Sequence, residues 1–184
     1  MENQVRILGI AGSLRKGSYN RAALRAAQGL VPNGTVLTVF ELDDIPLYNQ
    51  DLDANMPKSV LDLKEKIRLA HAVLFVTPEY NYSIPGVLKN AIDWASRPRG
   101  GSSWDGKPAA IMGASQGMFG SARAQYHLRQ TLVTLNMFTL NRPEVLISTA
   151  ADKFDINGKL TDVKTQEKIR ELLDALVKWT IKLR

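Results

Sequence analysis

The chain alternates between short apolar runs and longer segments in which apolar residues recur at helical spacing. The short runs are rich in β-branched residues, which is typical of strands buried on both faces. The predicted strands cover residues 5–11, 36–42, 72–77, 109–114 and 144–147, and the predicted helices cover residues 20–29, 57–70, 85–96, 121–136 and 162–183. This strict alternation predicts an α/β fold with a doubly wound, five-stranded parallel sheet and helices on both faces.

Residues at the predicted helix starts support these bounds. Pro57 and Pro85 suit the first turn of a helix, and Ser121 and Asp162 suit the N-cap position. No repeat, low-complexity segment or linker divides the 184 residues, which is an ordinary length for one domain. We therefore expect residues 1–184 to form a single domain.

Composition narrows the possible chemistry. Hydrophobic residues make up 45% and charged residues 23% of the chain, as in ordinary globular domains. The sequence has no cysteine, which excludes disulfides, thiolate zinc sites, iron–sulfur clusters and cysteine nucleophiles. Residues 1–4 lead directly into the first strand, and no apolar run is as long as a membrane span. We expect a cytoplasmic protein with no metal site and no membrane partner.

The charge balance favours small anionic partners. Lys and Arg outnumber Asp and Glu by 24 to 18, which gives a net charge of +6. A basic chain of this kind suits a phosphate-bearing cofactor. The basic residues are scattered and no four are consecutive, so the sequence does not show the contiguous basic face of a nucleic-acid-binding protein. We therefore expect no nucleic-acid partner.

Three loops at the predicted carboxyl ends of strands carry the candidate chemistry, because ligands bind at that edge of an open α/β sheet. The first loop, residues 12–20, follows strand one and opens the first helix. Backbone N–H groups at a helix N-terminus, short polar side chains and an arginine together suit a phosphate. The side chains in question are Ser13, Arg15, Ser18 and Asn20. The alternative is a polar turn with a good N-cap.

The glycines of the first loop do not complete a known nucleotide motif. Gly12 and Gly17 have the spacing of a Walker loop, but Ser18 and Tyr19 stand where that motif needs Lys and then Ser or Thr. This disfavours a nucleoside triphosphatase. Residues 9–12 do not complete the G-x-G-x-x-G dinucleotide fingerprint either.

The second loop, residues 77–86, lies between the third strand and a helix and is stiffened by two prolines. Tyr80, Asn81 and Tyr82 offer aromatic faces and hydrogen-bond donors to a flat heterocycle. Glu79 is suited to accept a proton or to fix a neighbouring cation. The alternative is a stiff turn whose tyrosines pack on the surface or at a subunit contact.

The third loop, residues 113–117, matches the G-x-S-x-G nucleophile elbow of serine hydrolases. In that fold an acid and then a histidine follow the serine, but only His127 follows Ser115, with no Asp or Glu between them. We therefore reject a hydrolase. Ser115, Gln116 and Gly117 are instead small residues and backbone groups that let a ligand ring approach the chain closely.

The first two loops resemble motifs of the NAD(P)H-dependent FMN reductase family, a flavodoxin-like group that includes chromate, quinone and azo-compound reductases. Residues 12–20, GSLRKGSYN, are similar to its G-S-x-R-x-x-S-x-N phosphate loop. Residues 77–86, TPEYNYSIPG, are similar to its T-P-E-Y-N-x-S-x-P-G flavin loop. The likeness continues through residues 88–94. It departs slightly at Gly120 and Ser121, where relatives often carry paired glycines.

The resemblance implies a flavodoxin-like fold with FMN held by all three loops. Ser13, Arg15, Ser18 and Asn20 would hold the phosphate, the second loop would flank the isoalloxazine, and the third would meet its pyrimidine edge. The cofactor-binding residues it implies are Gly12, Ser13, Leu14, Arg15, Ser18, Tyr19, Asn20, Pro78, Glu79, Tyr80, Asn81, Tyr82, Ser115, Gln116 and Gly117. No side chain is expected to be catalytic, since FMN carries the chemistry.

The implied activity is hydride transfer from NADPH or NADH to FMN, followed by reduction of a small acceptor such as a quinone, azo compound, chromate or free flavin. The alternative is a flavodoxin-type electron carrier without nicotinamide turnover. Such carriers tend to be acidic, whereas a charge of +6 suits an anionic nicotinamide nucleotide. Arg97 and Arg99 are candidates to bind a 2′-phosphate, although loop arginines are more often simply solvated.

The resemblance also implies a homodimer or homotetramer. The predicted helices over residues 85–96 and 121–136 mix apolar and charged residues on more than one face, which a single buried stripe does not explain. The predicted interface residues are Leu88, Ile92, Tyr126, Leu128 and Leu132, with polar contacts from Arg123, His127 and Arg129. The alternative is that these helices simply cover the sheet.

Overall fold

The computed structural model describes residues 4–98 and 100–184. Residues 1–3 and Arg99 lie outside the described residues. Part of the expectation about location depends on residues 1–3. Strands β1 to β6 cover Val5–Ala11, Thr35–Phe40, Ala72–Val76, Pro108–Ala114, Phe138–Thr139 and Val145–Ile147. Helices α1 to α5 cover Tyr19–Gln28, Lys58–Leu69, Gly86–Ala95, Ala122–Thr134 and Val163–Leu183. Short 3-10 helices cover Gln50–Leu52 and Ala150–Asp152.

The strands form one parallel sheet in the order β2-β1-β3-β4-β5, and β6 also pairs with β4. β5 pairs with the start of β4, at Pro108 and Ala109, whereas β6 pairs with its end. Two short strands therefore share the outer position that the sequence analysis gave to one. The five predicted strands are confirmed within two residues at each end, and β5 is the additional one.

Two hydrophobic cores, one on each face, confirm the predicted double winding. On one face α1 and α5 pack their alanines and leucines against alternate residues of β1, β3 and β4. On the other face α2, α3 and α4 cover the remaining residues of the same strands. β3 is buried along its whole length, as its continuous apolar run predicts.

The four residues predicted at helix starts each stand at the N-cap position, so the two prolines lie just before the first turn and not within it. Pro57 and Pro85 directly precede α2 and α3, and Asp162 caps α5 by accepting from the Thr165 N–H at 2.8 Å. Ser121 precedes α4 but makes no side-chain cap, because its φ of 66° is left-handed and its side chain turns inward. The prediction that Ser121 caps α4 is therefore wrong.

The predicted interface residues on α3 and α4 are mostly inside the fold. Leu88, Ile92, Leu128 and Leu132 are fully buried in the core beneath the sheet, so they are wrong as subunit contacts. The alternative that these residues cover the sheet is the correct one for these four. Tyr126 is half-exposed and remains available to a partner.

The strand order reverses between β1 and β3, which defines the switch point of a doubly wound sheet. β3 and β4 are also neighbours, so the first, second and third loops leave the sheet side by side at its carboxyl edge. Among residues 4–98 and 100–184 there is no helix of the length and hydrophobicity needed to cross a membrane.

Candidate functional site

The first loop presents a row of backbone N–H groups without protein acceptors. Within the described part of the chain, the N–H groups of residues 13–17 donate to no carbonyl or side chain. The preceding Gly12 N–H, by contrast, donates to Val76 O at 2.9 Å. α1 begins two residues after this row, so the positive end of its dipole adds to the local potential. Free N–H groups beside a helix N-terminus are a binding site for an anion.

Three small polar side chains of the first loop are buried: Ser13, Ser18 and Asn20. Ser18 Oγ accepts from the N–H groups of Asn20 and Arg21, at 3.2 and 3.4 Å, and so caps α1. The side-chain amide of Asn20 makes two hydrogen bonds with the backbone of Ala114. Its Oδ1 accepts from the Ala114 N–H at 2.8 Å, and its Nδ2 donates to the Ala114 carbonyl at 2.9 Å. Asn20 therefore ties the first loop to the end of β4, which differs from the phosphate contact expected of its side chain.

Arg15 lies exposed at the rim of the row of free N–H groups. Its guanidinium is 5.9 Å from the centroid of the Tyr19 ring, and the Tyr19 ring in turn packs 5.4 Å from that of Phe154. Arg15 forms no ion pair with a described residue. A guanidinium held over an aromatic ring without a carboxylate partner is available to an incoming anion.

The second loop contains a two-residue reversal of the chain. Tyr80 and Ser83 exchange backbone hydrogen bonds of 3.0 and 2.9 Å, and the residues between them are both left-handed, with φ of 49° at Asn81 and 67° at Tyr82. Asn tolerates this region but an aromatic residue does so at a cost of about 1–3 kcal/mol. Other contacts must therefore hold the turn in place.

Glu79 provides the strongest of these contacts. Its carboxylate, only 9% exposed, pairs with the guanidinium of Arg123 on α4. The same carboxylate accepts from the backbone N–H groups of Arg123 at 3.1 Å and Ala124 at 3.4 Å. Glu79 thus caps α4 in place of Ser121 and joins the second loop to that helix. Of the two roles expected for Glu79, the structure shows the fixing of a neighbouring cation.

Arg123 is also enclosed by two aromatic rings. Its guanidinium carbon lies 3.9 Å from the centroid of Tyr82 and 4.6 Å from that of Phe119. Next to it, His127 Nδ1 and Ser83 Oγ are 3.1 Å apart. The left-handed Tyr82 is therefore held by a cation–π contact and its neighbour by a hydrogen bond. These contacts keep the turn in shape before any ligand binds.

The third loop is held by β6 and by its own serine. The Ser115 N–H donates to Ile147 O at 2.9 Å, and Ser115 Oγ accepts from the Gly117 N–H at 3.1 Å. His127, the histidine that follows Ser115 in the sequence, faces Ser83 instead. The geometry thus agrees with the rejection of a hydrolase, and Gln116 and Gly117 lie exposed at the edge of the site.

Two glycines allow the backbones at this edge to approach one another. A Cβ at Gly113 would collide with Thr77 O and with Ser121 Oγ. Gly120 has a φ of 54°, and a Cβ there would lie 2.6 Å from the carbonyl carbon of Leu146. Ser121, at the second of the positions where relatives often carry paired glycines, nevertheless adopts a left-handed φ of 66°.

The structure brings the three predicted loops together, but some of the predicted side chains bind other parts of the protein. Asn20 and Glu79 act within the protein, as described above. Arg97, a candidate for a 2′-phosphate, is paired with Asp53 at 2.8 Å, and Arg99 lies outside the described residues. Two further residues belong to the site: Phe119, and Arg123, which was predicted only as an interface contact. Nothing in their local spacing places them over the second loop.

The residues present fit FMN. The free N–H groups of residues 13–17 and the uncompensated Arg15 suit its phosphate, and the preformed turn at residues 80–83 suits a planar ring beside it. The first loop carries Arg15 and Lys16 and no acidic residue, and the third loop has glycines at both ends.

Comparison with known proteins also points to FMN as the cofactor. The family described as NADPH-dependent FMN reductase matches residues 5–152. An NAD(P)H-dependent FMN reductase from Pseudomonas aeruginosa is 56% identical over 185 residues, covering 100% of both chains. A quinone reductase from Pseudomonas putida is 46% identical over 171 residues, covering 92% of this chain and 91% of the other. The structure of FerB, a flavoenzyme NAD(P)H:(acceptor) oxidoreductase from Paracoccus denitrificans, superposes with a TM-score of 0.89 at 42% identity, covering 97% and 98%.

Proposed function

Because the chain belongs to the NADPH-dependent FMN reductase family, we propose that it reduces small quinone-type acceptors with electrons from NAD(P)H, using FMN bound by the three loops. It is an oxidoreductase and a flavoprotein, and its fold is flavodoxin-like. The observation that carries the proposal is the row of free N–H groups at residues 13–17, which leads into α1 beside Arg15. An electron carrier without nicotinamide turnover is disfavoured by the reductase relatives.

We assign the phosphate of FMN to the first loop. The N–H groups of residues 13–17 and the buried Ser13 would bind it, and Arg15 would close over it from the rim. Ser18 and Asn20 act on the loop itself, by capping α1 and by holding Ala114. Bound FMN supplies the hydride acceptor and the electron transfer to the second substrate.

We assign the ring system to the second and third loops. Residues 78–82 would flank it, and Ser115, Gln116 and Gly117 would meet one edge with backbone groups. Glu79 and Arg123 position the second loop and are not expected to touch the reacting atoms. No side chain of the site is assigned a catalytic role. The α5 helix packs on the same face of the sheet as α1, which supports one FMN-binding domain over residues 1–184.

We also propose a homo-oligomer in which the site lies near a subunit boundary. Large side chains beside the second loop are exposed to solvent: Tyr82 by 66%, Phe119 by 62% and Met118 by 83%. A contiguous exposed apolar surface next to a ligand site is typical of an interface. Light scattering coupled to size exclusion tests this, and a monomeric mass with full FMN occupancy and full activity would contradict it.

The activity is tested by following NAD(P)H oxidation with a benzoquinone acceptor. Protein freed of FMN should be inactive, and added FMN should restore the rate. Arg15→Ala should need a higher FMN concentration for the same rate, whereas Lys58→Ala removes an exposed positive charge on α2 and serves as the matched control. A rate that does not depend on added FMN would refute the proposal.

A further inference from the structure

A second cleft lies between α1 and the hairpin over residues 154–160, and no residue of the three loops lines it. Its cavity volume is about 400 Å³. The hairpin is closed by the bridge between Phe154 and Leu160, and Asp155 stiffens it by accepting from the N–H groups of Asn157 at 2.9 Å and Lys159 at 2.8 Å. One wall of the cleft is therefore a helix and the other is a turn with its own internal hydrogen bonds.

The lining of the cleft divides into an apolar floor and a cationic rim. The floor consists of Ala22, Ala26, Leu30 and Leu160. The rim carries Arg25 from the last turn of α1 and Lys159 from the hairpin. A surface that is apolar at its base and positive at its mouth is complementary to a molecule with an apolar body and an anionic head.

The two cations of the rim are not compensated within the described residues. Neither Arg25 nor Lys159 forms an ion pair there, whereas Arg21, one turn earlier on α1, pairs with Glu41 at 3.0 Å. The carboxylate of Asp155 in the hairpin accepts two backbone N–H groups through Oδ1 and forms no ion pair with a described residue. The positive charge at the rim is thus available to a ligand.

Arg25 is also held close to the hairpin. A Cβ added at Gly158 would lie 3.6 Å from its guanidinium nitrogen and 4.0 Å from Ala22 Cβ. The hairpin therefore lies close to α1 at Gly158, where a residue with no side chain faces the helix. The guanidinium stands at the boundary between the floor and solvent.

We propose that this cleft binds a small amphipathic anion, with a carboxylate or phosphate head between Arg25 and Lys159 and a short alkyl chain or single ring on the floor. The cavity volume is in the range of small-molecule sites, about 300–1,000 Å³. No residue of the three loops lines the cleft, although Phe154 of the hairpin contacts Tyr19 of the first loop.

The test is a titration with octanoate of the protein supplemented with FMN, followed by backbone amide NMR shifts. We expect saturable shifts at Gly29, Gly158 and Leu160, and smaller shifts with the uncharged 1-octanol at the same concentration. Arg25→Gln and Lys159→Gln should each weaken octanoate binding by about two- to fivefold, as expected for exposed charge pairs. Lys58→Gln removes the same charge from an exposed position on α2 and should leave the affinity unchanged.

Filling the cleft provides a second test that does not depend on charge. Ala26→Trp places a large side chain over the floor and should abolish the saturable shifts, while circular dichroism confirms that the variant folds. The proposal is overturned if octanoate shifts other residues instead, if 1-octanol binds equally well, or if Ala26→Trp and the two charge variants bind octanoate as the parent chain does.

Discussion

The substitution Glu79→Gln tests whether the second loop is preformed by its ion pair with α4. The carboxylate is 9% exposed and Arg123 is 34% exposed, and together they connect two segments 44 residues apart in the chain. Gln has the same shape and keeps an oxygen for the N–H groups at the start of α4. It removes the charge that pairs with Arg123 and leaves that guanidinium between Tyr82 and Phe119 without its partner.

The expected loss in the free energy of unfolding lies between two limits. Removing one partner of a fully buried pair costs about 3–5 kcal/mol. An exposed pair contributes about 0–1 kcal/mol. Since Arg123 is about a third exposed and the backbone cap partly survives, we expect a loss of about 1–3 kcal/mol. The left-handed turn at residues 81–82 is then less well held, so part of the binding free energy of FMN is used to order this turn. The Kd for FMN should therefore rise about tenfold.

Urea unfolding and FMN fluorescence titration measure the two effects separately. Glu65→Gln is the matched control, since it removes a carboxylate whose pair with Arg68 is exposed on both sides. It should change the free energy of unfolding by less than about 1 kcal/mol and leave FMN affinity unchanged. In a double-mutant cycle with Arg123→Gln, the coupling energy should be about 1 kcal/mol or more. If Glu79→Gln behaves like Glu65→Gln in both assays, the ion pair does not hold the loop.

Three further outcomes follow from the structure. Arg15→Ala should weaken FMN binding by about 1.5–3 kcal/mol, measured by fluorescence titration, because a charge-assisted contact to the phosphate is lost; an unchanged Kd would remove Arg15 from the site. Ser115→Ala should leave hydrolysis of a p-nitrophenyl ester at background while changing FMN affinity, because the hydroxyl shapes the third loop; loss of a measurable hydrolytic rate would restore the nucleophile interpretation. Burial, with nearby positive charge, lowers the pKa of His71, so the unfolded chain takes up its proton at higher pH than the folded one. Stability should therefore fall as pH drops below about 6.5, and urea unfolding of His71→Gln should show a shallower fall over that range; an unchanged pH dependence would contradict this.

The sequence predicts the fold well because its main signals are local. Each of the five predicted strands is an apolar run of ordinary length, and the structure places all of them in one sheet. β5 was missed because it has two residues, and Phe138 is partly exposed, so no pattern distinguishes it from a loop. Four of the predicted interface residues on α3 and α4 were wrong because residues such as Leu88 and Leu128 face the sheet, and amphipathic spacing does not tell a core face from a contact face.

The positions of the site loops were predictable from the sequence, whereas the roles of several side chains were not. The loops follow from strand ends, which the apolar runs mark. The tie between Asn20 and Ala114 spans 94 residues, and the cap that Glu79 gives to α4 spans 44. Such contacts depend on how strands are ordered in the sheet, and a single sequence carries no local pattern for them. Ser121 is a further example. It is a residue type that favours the N-cap position, but the carboxylate of Glu79, distant in the sequence, caps α4 instead.

The central claim is that the first loop is a binding site for the phosphate of FMN, and the comparison of FMN with riboflavin tests it most directly. The two ligands share the ring and differ only in the phosphate, so fluorescence titration of the cofactor-free protein isolates the contribution of residues 13–17 and Arg15. With several charge-assisted contacts of about 1.5–3 kcal/mol each, FMN should bind at least about a hundredfold more tightly than riboflavin. Arg15→Ala should reduce that ratio. Equal affinity for the two ligands would contradict the account.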